Sequence, residues 1–434
     1  MRKRFNKKKQ KINIPPTDVV VESVGVKGDG IARDGDGNLL FIPYGLAGEK
    51  LTVKPIKKRG DGYLAEILSI IEKSDFRIDP FCKHFTECGG CKLQHMDLNE
   101  QAKLKHKNIS GAFKSQDLDV EINPVQQIDA KRRRVRFNII KAGNKYSLHF
   151  NKIQSNNVVK INSCDVLDEE LFKVANEFIT VFSEFDAPTK MDMQLTKGDN
   201  GIEIVFYPFT DKSLELEGRE LIVKKVNELN ITGVYWYWDG FMEPVCVKSD
   251  LIVNFSGHNI SQPPAGFLQP SIDGQEKLVK TVVSLLEKYK VKDDNKIADL
   301  FSGSGMFSYG LVSYGTVDAF EINKPAIDKM NKNKAINPKV SGYERDLSEK
   351  PLITEECNKY DVVVLDPARS GAFNQVSQLS DSNCPLIIYV SCNPIALAKD
   401  TKVLLDGGYS VSDITPIDQF MYTDHAEVIA VFKK

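Results

Sequence analysis

The pattern of hydrophobic and polar positions changes three times along the 434-residue chain, and these changes predict its domains. Residues 15–74 contain short alternating apolar runs separated by glycine-rich turns, which predicts a small antiparallel β-barrel. Residues 75–260 mix strands with helices, as in an α+β domain. From residue 261 to 434, fully apolar strands alternate with helices, which predicts a parallel α/β sheet covered on both faces. Residues 1–14 are rich in Lys and Arg and predict a disordered basic arm.

The last of these segments contains the pattern of a nucleotide-binding site. A strand at residues 297–301 runs into a Gly-Ser-Gly turn that includes Gly303, and the next strand ends on Glu321. This is a Rossmann-like arrangement, in which glycines admit the ligand and the acid binds ribose hydroxyls. Ser308 stands where a dinucleotide fingerprint has its third glycine, which favours S-adenosyl-L-methionine over a dinucleotide. Asp346, after the third strand, supplies a further carboxylate.

Cys392 follows the apolar run at residues 385–390, at a strand end where ligands of α/β sheets gather. A thiol is a strong nucleophile at neutral pH, although a small buried hydrophobic residue is the alternative interpretation. Asp366 ends the preceding strand, where it is either a site residue or a turn cap, and Glu427 precedes the last strand. This set suits methylation of uracil C5: Cys392 attacks C6 and Glu427 removes the C5 proton. Asp366 and Gln269 are expected to orient the base or the cofactor.

Three cysteines form a compact loop in the central segment, namely Cys82, Cys88 and Cys91. Thiolates at this spacing bind zinc or an iron–sulfur cluster, which normally takes four sulfur ligands. Cys164 is the best fourth candidate by its order in the chain, and the spacing leaves the metal open. In the same segment a cationic strand presents Arg132, Arg134 and Arg136 on one face, which suits RNA phosphates. A solvated edge strand is the alternative to this RNA-binding interpretation.

Composition narrows the class of protein but not its partner. Hydrophobic residues make up 41% of the chain and charged residues 27%, the balance of a globular protein with two or three domains. We find neither an apolar run of membrane-spanning length nor a secretory signal, so we expect a cytoplasmic protein without membrane contact. A net charge of −1 neither predicts nor excludes a nucleic-acid partner.

Taken in order, these motifs resemble the RNA 5-methyluridine (uracil-C5) methyltransferase family over residues 15–434. The similar motifs are the N-terminal barrel, which resembles the oligonucleotide-binding-like TRAM domain, the thiol loop, the Arg-rich strand, Asp-Leu-Phe-Ser-Gly-Ser-Gly, Asp-Pro-Ala-Arg-Ser-Gly, Ser-Cys-Asn-Pro and His-Ala-Glu. Within the family, the chain is most similar to the iron–sulfur enzymes that act on 23S ribosomal RNA.

The resemblance implies a fold, a cofactor set and a partner. It implies a Rossmann-like methyltransferase domain at residues 261–434, a [4Fe-4S] cluster on the four cysteines, and 23S ribosomal RNA as substrate, with transfer RNA as the alternative. It also implies that the helical stretch near residues 95–120 packs against the catalytic domain. The residue roles that it implies are donor contacts for Gln269, Phe301, Glu321 and Asp366, the nucleophile for Cys392 and the base for Glu427.

Two positions depart from the family pattern, because Ser271 and Met306 stand where the family commonly has Asn. Both changes remove an amide near the cofactor. Two rival functions also remain, namely a methyltransferase of another class with a structural Cys392, and an RNA-binding protein that does not use the thiol. We expect a monomer.

Overall fold

A computed structural model describes residues 14–153, 155–210 and 213–434. Most of the predicted basic arm therefore lies outside the described residues. The chain divides into two compact units, of which the first comprises the residues up to Thr86 with Gly90–Lys105 and Tyr422–Asp424. The second comprises Glu87–Gly89, His106–Met421 and His425–Lys434. The predicted four-part division of the chain stays a prediction.

The first unit contains a curled six-stranded sheet. Its strands are β1 (Thr17–Val20), β2 (Ser23–Val24), β3 (Asp29–Arg33), β4 (Leu39–Pro43), β5 (Lys50–Arg59) and β6 (Gly62–Glu72). They lie in the order β1-β5-β6-β4-β3-β2, with β1 and β2 at the two ends. Alternate apolar side chains fill its inner face, including Leu40, Leu51 and Val53. The predicted β-structure is confirmed. The prediction of a closed barrel is wrong, because the sheet curls into a half-barrel with β1 and β2 at its edges.

The second unit contains the last part of helix α1, from His106 onward, and a seven-stranded sheet, which we call the central sheet. The elements are α1 (Leu98–Lys114), β7 (Gln126–Gln127), β8 (Arg134–Ala142), β9 (Lys145–Asn151), β10 (Val158–Lys160), α2 (Glu169–Phe178), a 3₁₀ turn (Val181–Ser183), β11 (Lys190–Gly198), β12 (Gly201–Pro208), α3 (Leu216–Glu228), β13 (Ile231–Trp238) and β14 (Phe241–Val247). The central sheet has the order β10-β9-β8-β11-β12-β13-β14. Its apolar face packs in one core with residues of α2 and α3, such as Leu171 and Ile222.

The remaining elements form a hairpin and a doubly covered sheet. They are β15 (Ile252–Phe255), β16 (His258–Ser261), α4 (Ile272–Lys288), β17 (Asn295–Leu300), α5 (Met306–Gly310), β18 (Gly315–Glu321), α6 (Lys324–Lys332), a 3₁₀ turn (Asn333–Ala335), β19 (Val340–Glu344), α7 (Thr354–Cys357), β20 (Val362–Leu365), α8 (Phe373–Ser380), β21 (Leu386–Ser391), α9 (Pro394–Asp406), β22 (Ser410–Asp418) and β23 (Glu427–Lys433). The eight-stranded sheet has the order β19-β18-β17-β20-β21-β23-β22-β7.

This eight-stranded sheet confirms the predicted Rossmann-like α/β fold. The strands from β19 to β21 pair in parallel, whereas β23 runs antiparallel to both β21 and β22. Apolar cores cover both faces, as expected for fully apolar strands. Ile109 and Phe113 of α1 belong to one of these cores, which confirms that this part of the helix packs on the α/β sheet. In the described part of the chain, no helix is long and apolar enough to cross a membrane.

Candidate active site

The antiparallel strand β23 brings Cys392 and Glu427 to the same edge of the sheet. Ser391, the last residue of β21, pairs with Val428 of β23, so the next residue on one strand and the preceding residue on the other are neighbours. The chain turns away immediately after Cys392, because the side chain of Asn393 accepts a hydrogen bond from the Ile395 backbone N–H at 3.1 Å and caps α9. The thiol is therefore held in a short loop rather than within the strand.

A cavity of about 570 Å³ opens at this edge of the sheet. Most of the site residues predicted from the sequence line it, namely Gln269, Phe301, Gly303, Glu321, Asp366, Cys392 and Glu427. Asp346 is not among the lining residues; its carboxylate accepts hydrogen bonds from the backbone N–H and the hydroxyl of Ser348. The hydrogen bond from the Ser348 hydroxyl lowers the pKa of Asp346 and outweighs the opposing effect of burial. The cofactor role predicted for Asp346 gains no support from this placement.

The cavity wall at the end of β17 has the geometry of a nucleoside site. Phe301 and Gly303 both have positive φ angles, of 60° and 55°, so the backbone turns tightly below the cavity. Glu321 fixes this turn by accepting from the Gly303 N–H at 3.0 Å, and it also accepts from the Asn323 N–H at 2.9 Å. A carboxylate has further lone pairs, and the buried Ser302 hydroxyl has no partner among the described residues. These residues therefore fit the ribose hydroxyls of S-adenosyl-L-methionine.

The two departures from the family pattern have different consequences in the structure. Ser271 caps α4, since its hydroxyl accepts from the Gly274 N–H at 3.0 Å, a role that Asn also fills. Met306 lines the cavity with an apolar side chain at the start of α5. Only the second change therefore alters the chemistry that a ligand meets.

Two acids and a thiol share the buried end of the cavity. Burial raises the pKa of Glu427 to about 7, opposed by a hydrogen bond from Gln419 and the charge of Arg369. Burial, followed by the charges of Glu427 and Asp299, raises the pKa of Asp366 well above its ordinary value. Burial and the charge of Glu427 also raise the pKa of the Cys392 thiol. At neutral pH the site therefore holds exchangeable protons close to a sulfur nucleophile.

Arg369 is the cation that opposes these rises. Its charge lowers the pKa of both Cys392 and Glu427, although burial outweighs it. It lines the cavity from the loop after β20, where its backbone carbonyl accepts from the Asn393 side-chain amide at 2.8 Å. The sequence analysis assigns no role to Arg369. Its position three residues after Asp366, in the same strand-end motif, is the local signal that places it near the site.

Two further residues missed by sequence reasoning hold the site together. The Gln419 side-chain amide donates to Gln269 Oε1 at 2.8 Å and to Glu427 Oε1 at 3.3 Å, which links these two cavity-lining residues. The buried Arg133 donates to the Gln269 backbone carbonyl at 3.0 Å and to Gln275 Oε1 at 2.6 Å. Neither residue has a motif, because each acts on residues that are distant in the sequence.

The predicted arginine ladder is only partly regular. Arg134 and Arg136 lie on β8, where Arg134 donates to Gln194 at 3.2 Å and Arg136 to Asp192 at 2.9 Å. Arg132 precedes the strand and pairs with Leu167 in an isolated bridge. The RNA-binding role of these three residues stays a prediction.

The four cysteines of the predicted cluster are all partly exposed. Cys82 and Cys91 belong to the first unit, and Cys88 and Cys164 to the second. Within the described residues, no group of three or more His, Cys, Asp or Glu side chains is arranged to hold a metal ion. The iron–sulfur prediction therefore rests on the sequence.

Comparison with known proteins identifies the family. Residues 344–434 match the family model described as tRNA (Uracil-5-)-methyltransferase. An uncharacterized RNA methyltransferase of Brucella melitensis is 31% identical over 424 residues, which are 96% of this chain and 97% of the relative. The chain belongs to the RNA uracil-5 methyltransferase family. This membership confirms the resemblance inferred from the motifs and the class of enzyme, which uses S-adenosyl-L-methionine.

Two other family members match over nearly their whole length. The 23S rRNA (uracil(1939)-C(5))-methyltransferase RlmD of Vibrio parahaemolyticus is 28% identical over 454 residues, covering 99% of this chain and 98% of the relative. The crystal structure of the Pyrococcus abyssi tRNA (uracil-54, C5)-methyltransferase in complex with S-adenosyl-L-homocysteine has a TM-score of 0.73 at 21% identity, covering 96% of this chain and 99% of that one. The second match confirms the fold.

The raised pKa of Glu427 makes the stability of the protein depend on pH. Its pKa is about 7 in the folded state, against an ordinary value of 4.5. The contribution of Glu427 to stability is therefore fully present below pH 4.5 and is lost as the pH rises through 7. At pH 8 we expect the free energy of unfolding of Glu427→Gln, measured by urea denaturation, to exceed that of the wild type by on the order of 2 kcal/mol. At pH 4.5 the two free energies should be similar. Glu217→Gln, at an exposed position of α3, is the control. Equal destabilisation at both pH values would contradict the assignment.

Proposed function

We propose that this protein methylates C5 of a uridine in 23S ribosomal RNA through a transient bond between Cys392 and the uracil ring. The observation that carries the proposal is that Cys392, Glu427 and the wall around Glu321, which fits a nucleoside, line one cavity. A uridine in folded RNA has to leave its stack to enter such a cavity.

In the proposed reaction Cys392 supplies the attacking electron pair, the uracil ring supplies the pair that takes the methyl group, and Glu427 accepts the C5 proton. The Cys392 thiolate bonds to uracil C6, and the C5–C6 π electrons become an enolate that makes C5 nucleophilic. When bound, S-adenosyl-L-methionine supplies an electrophilic methyl group to C5. The Glu427 carboxylate then takes the C5 proton, the C5–C6 double bond re-forms, and the C6–S bond breaks to return the thiolate.

The electrostatics of the cavity suit both roles. A base works best with a pKa near the working pH, and burial raises the pKa of Glu427 to about 7. The Arg369 guanidinium favours the thiolate of Cys392 against the effect of burial. Asp366, with its raised pKa, is suited to donate a hydrogen bond to a uracil carbonyl, while Gln269 is held in place by Gln419.

The surroundings of the cysteines favour a catalytic over a structural Cys392. Cys357 and Cys384 are fully buried, and burial raises the pKa of each thiol to about 12. Cys392 instead keeps part of its surface exposed and faces the cavity. An inert thiol has no need of this exposure beside a base and a cation.

Sequence similarity favours ribosomal RNA as the substrate. The Vibrio parahaemolyticus relative named for 23S rRNA is 28% identical across 99% of this chain. The family model named for tRNA matches only residues 344–434, which hold the catalytic strands rather than the rest of the chain. Transfer RNA is the alternative substrate, and a cytoplasmic monomer stays our expectation.

The covalent step can be trapped with 5-fluorouridine. Fluorine at C5 cannot leave as a proton, so the wild type with S-adenosyl-L-methionine should form an RNA adduct that survives denaturing electrophoresis. Cys392→Ala should form no adduct and transfer no methyl group, whereas Glu427→Gln should keep the adduct and slow turnover on normal RNA by about 10²–10⁴-fold. Cys246→Ser, in the central sheet, is the control and should behave as the wild type. Full activity of Cys392→Ala would refute the mechanism.

The substrate can be identified by mapping 5-methyluridine in cellular RNA. Deleting the gene should remove one such site from 23S ribosomal RNA and leave transfer RNA unchanged, with restoration by the wild type but not by Cys392→Ala. Loss of the modification from transfer RNA instead would establish the alternative substrate and contradict our choice.

We also propose that Cys82, Cys88, Cys91 and Cys164 bind a [4Fe-4S] cluster, on the support of their spacing and the family resemblance. The His84 backbone N–H points to Cys82 Sγ at 3.4 Å, a contact that favours a thiolate ligand. Protein purified without oxygen should be brown with about four iron atoms per chain. Cys82→Ser should lose the iron and Cys246→Ser should keep it. A colourless protein with stoichiometric zinc would refute the cluster.

A further inference from the structure

The central sheet has one face turned away from its helices. Side chains alternate between the faces of a strand, and Phe137, Met193, Phe206 and Trp236 lie in the core beneath α2 and α3. The residues between them in β8, β11 and β12 therefore point to the opposite side. That second face is more polar than the first. Its part around Gln194, Glu203 and Val205 is buried, whereas the strand ends that carry Lys190, Arg136, Tyr207 and Tyr237 reach solvent.

Aromatic rings and cations are paired on this second face. The guanidinium carbon of Arg136 lies 4.0 Å from the ring centroid of Tyr207, whose ring is 5.4 Å from that of Tyr237. Lys190 Nζ lies 5.0 Å from the ring centroid of Phe209. We call these five residues the aromatic platform. Phe209 is 61% exposed and Tyr237 39% exposed, so both rings are accessible to a ligand beside the cations.

The charge that the platform presents to solvent is positive. Asp192 forms an ion pair with Arg136 at 2.9 Å, but the Asp192 side chain is only 16% exposed, against 49% for Arg136. The carboxylate thus orients the guanidinium over the Tyr207 ring while staying shielded itself. Lys190 is exposed beside Phe209. A negatively charged ligand with flat rings matches this surface.

The platform shares strand β12 with a residue that contacts the loop of the cavity wall. Glu203 lies four residues before Tyr207 on β12, a distance of roughly 13 Å along the strand. Its carboxylate accepts from the Ala265 N–H at 2.9 Å, and the neighbouring residues Gly266 and Phe267 line the cavity. Tyr207 of the platform is thus joined through β12 to the residue that holds this loop.

We propose that the aromatic platform binds unpaired RNA nucleotides next to the target uridine, a role that rests on the proposed function. Exposed rings stack on bases, and cations beside them contact phosphates, which is how proteins hold single-stranded RNA. A duplex hides its base faces and gains nothing from Phe209 or Tyr237. The platform therefore selects target uridines that lie in loops or in opened strands.

The experiment uses full-length protein with single exposed substitutions. Phe209→Ala removes a stacking ring, and Phe373→Ala, at 62% exposure on α8, is its matched control. Lys190→Gln removes a platform cation, and Lys173→Gln, on α2 at the opposite face of the sheet, is its control. Binding is measured by fluorescence anisotropy with a uridine-containing single-stranded RNA and with the same sequence as a duplex.

We expect Phe209→Ala to weaken binding of the single strand by about fivefold or more, as loss of one stacked base does. Lys190→Gln should lower the salt dependence of binding by about one counterion. Both should raise KM for RNA methylation with little change in kcat, and neither control should differ from the wild type. Binding of the duplex should be unaffected by Phe209→Ala.

Each outcome separates this inference from the proposed function. If the wild type methylates uridine but both platform variants match their controls in RNA binding and KM, the platform is wrong and the function stands. If Phe209→Ala weakens single-strand binding while the wild type methylates no RNA, the proposed function fails and the platform stands. Equal weakening of duplex and single strand would refute stacking, and an unchanged RNA affinity with loss of a protein partner would assign the face to that partner.

Discussion

The site depends on one antiparallel strand inserted into a parallel sheet. Because β23 runs against β21, its first residue lies at the edge where β20 and β21 end, and Glu427 meets Cys392 there. In a parallel arrangement the start of β23 would lie at the far edge, one strand length away. The proximity of Glu427 and Cys392 is therefore a consequence of strand direction, which the apolar packing of both sheet faces maintains.

Burial raises the pKa values of the acids at this edge and lowers the stability of the fold at high pH. Glu427 and Asp366 are held close enough that the charge of one disfavours that of the other, and desolvation raises the pKa of both. Gln419 and Arg369 lower the pKa of Glu427 without cancelling the effect of burial. The result is a site in which protons are available near neutral pH, at the expense of folding stability above that range.

The segment between the hairpin β15–β16 and helix α4 connects the central sheet to the cavity. Arg133, one residue before β8, holds the Gln269 backbone, while Glu203 of β12 holds Ala265. Both contacts join the central sheet to the cavity wall within the second unit. A displacement of the sheet would thus move residues that line the cavity, such as Gln269, so the sheet acts as a scaffold for the cavity.

The sequence by itself determined the α/β fold of the last segment, the class of reaction and most residues of the cavity. These follow from local signals, since apolar strands, a glycine turn and strand-end residues such as Glu321, Asp366 and Cys392 are each defined by their neighbours in the chain. The tertiary structure decided the rest. Gln419 and Arg133 act through hydrogen bonds to residues that are distant in sequence, Asp346 lies outside the cavity lining, and the N-terminal strands curl without closing. Local periodicity carries no information on such long-range contacts, because they depend on how the sheets pack.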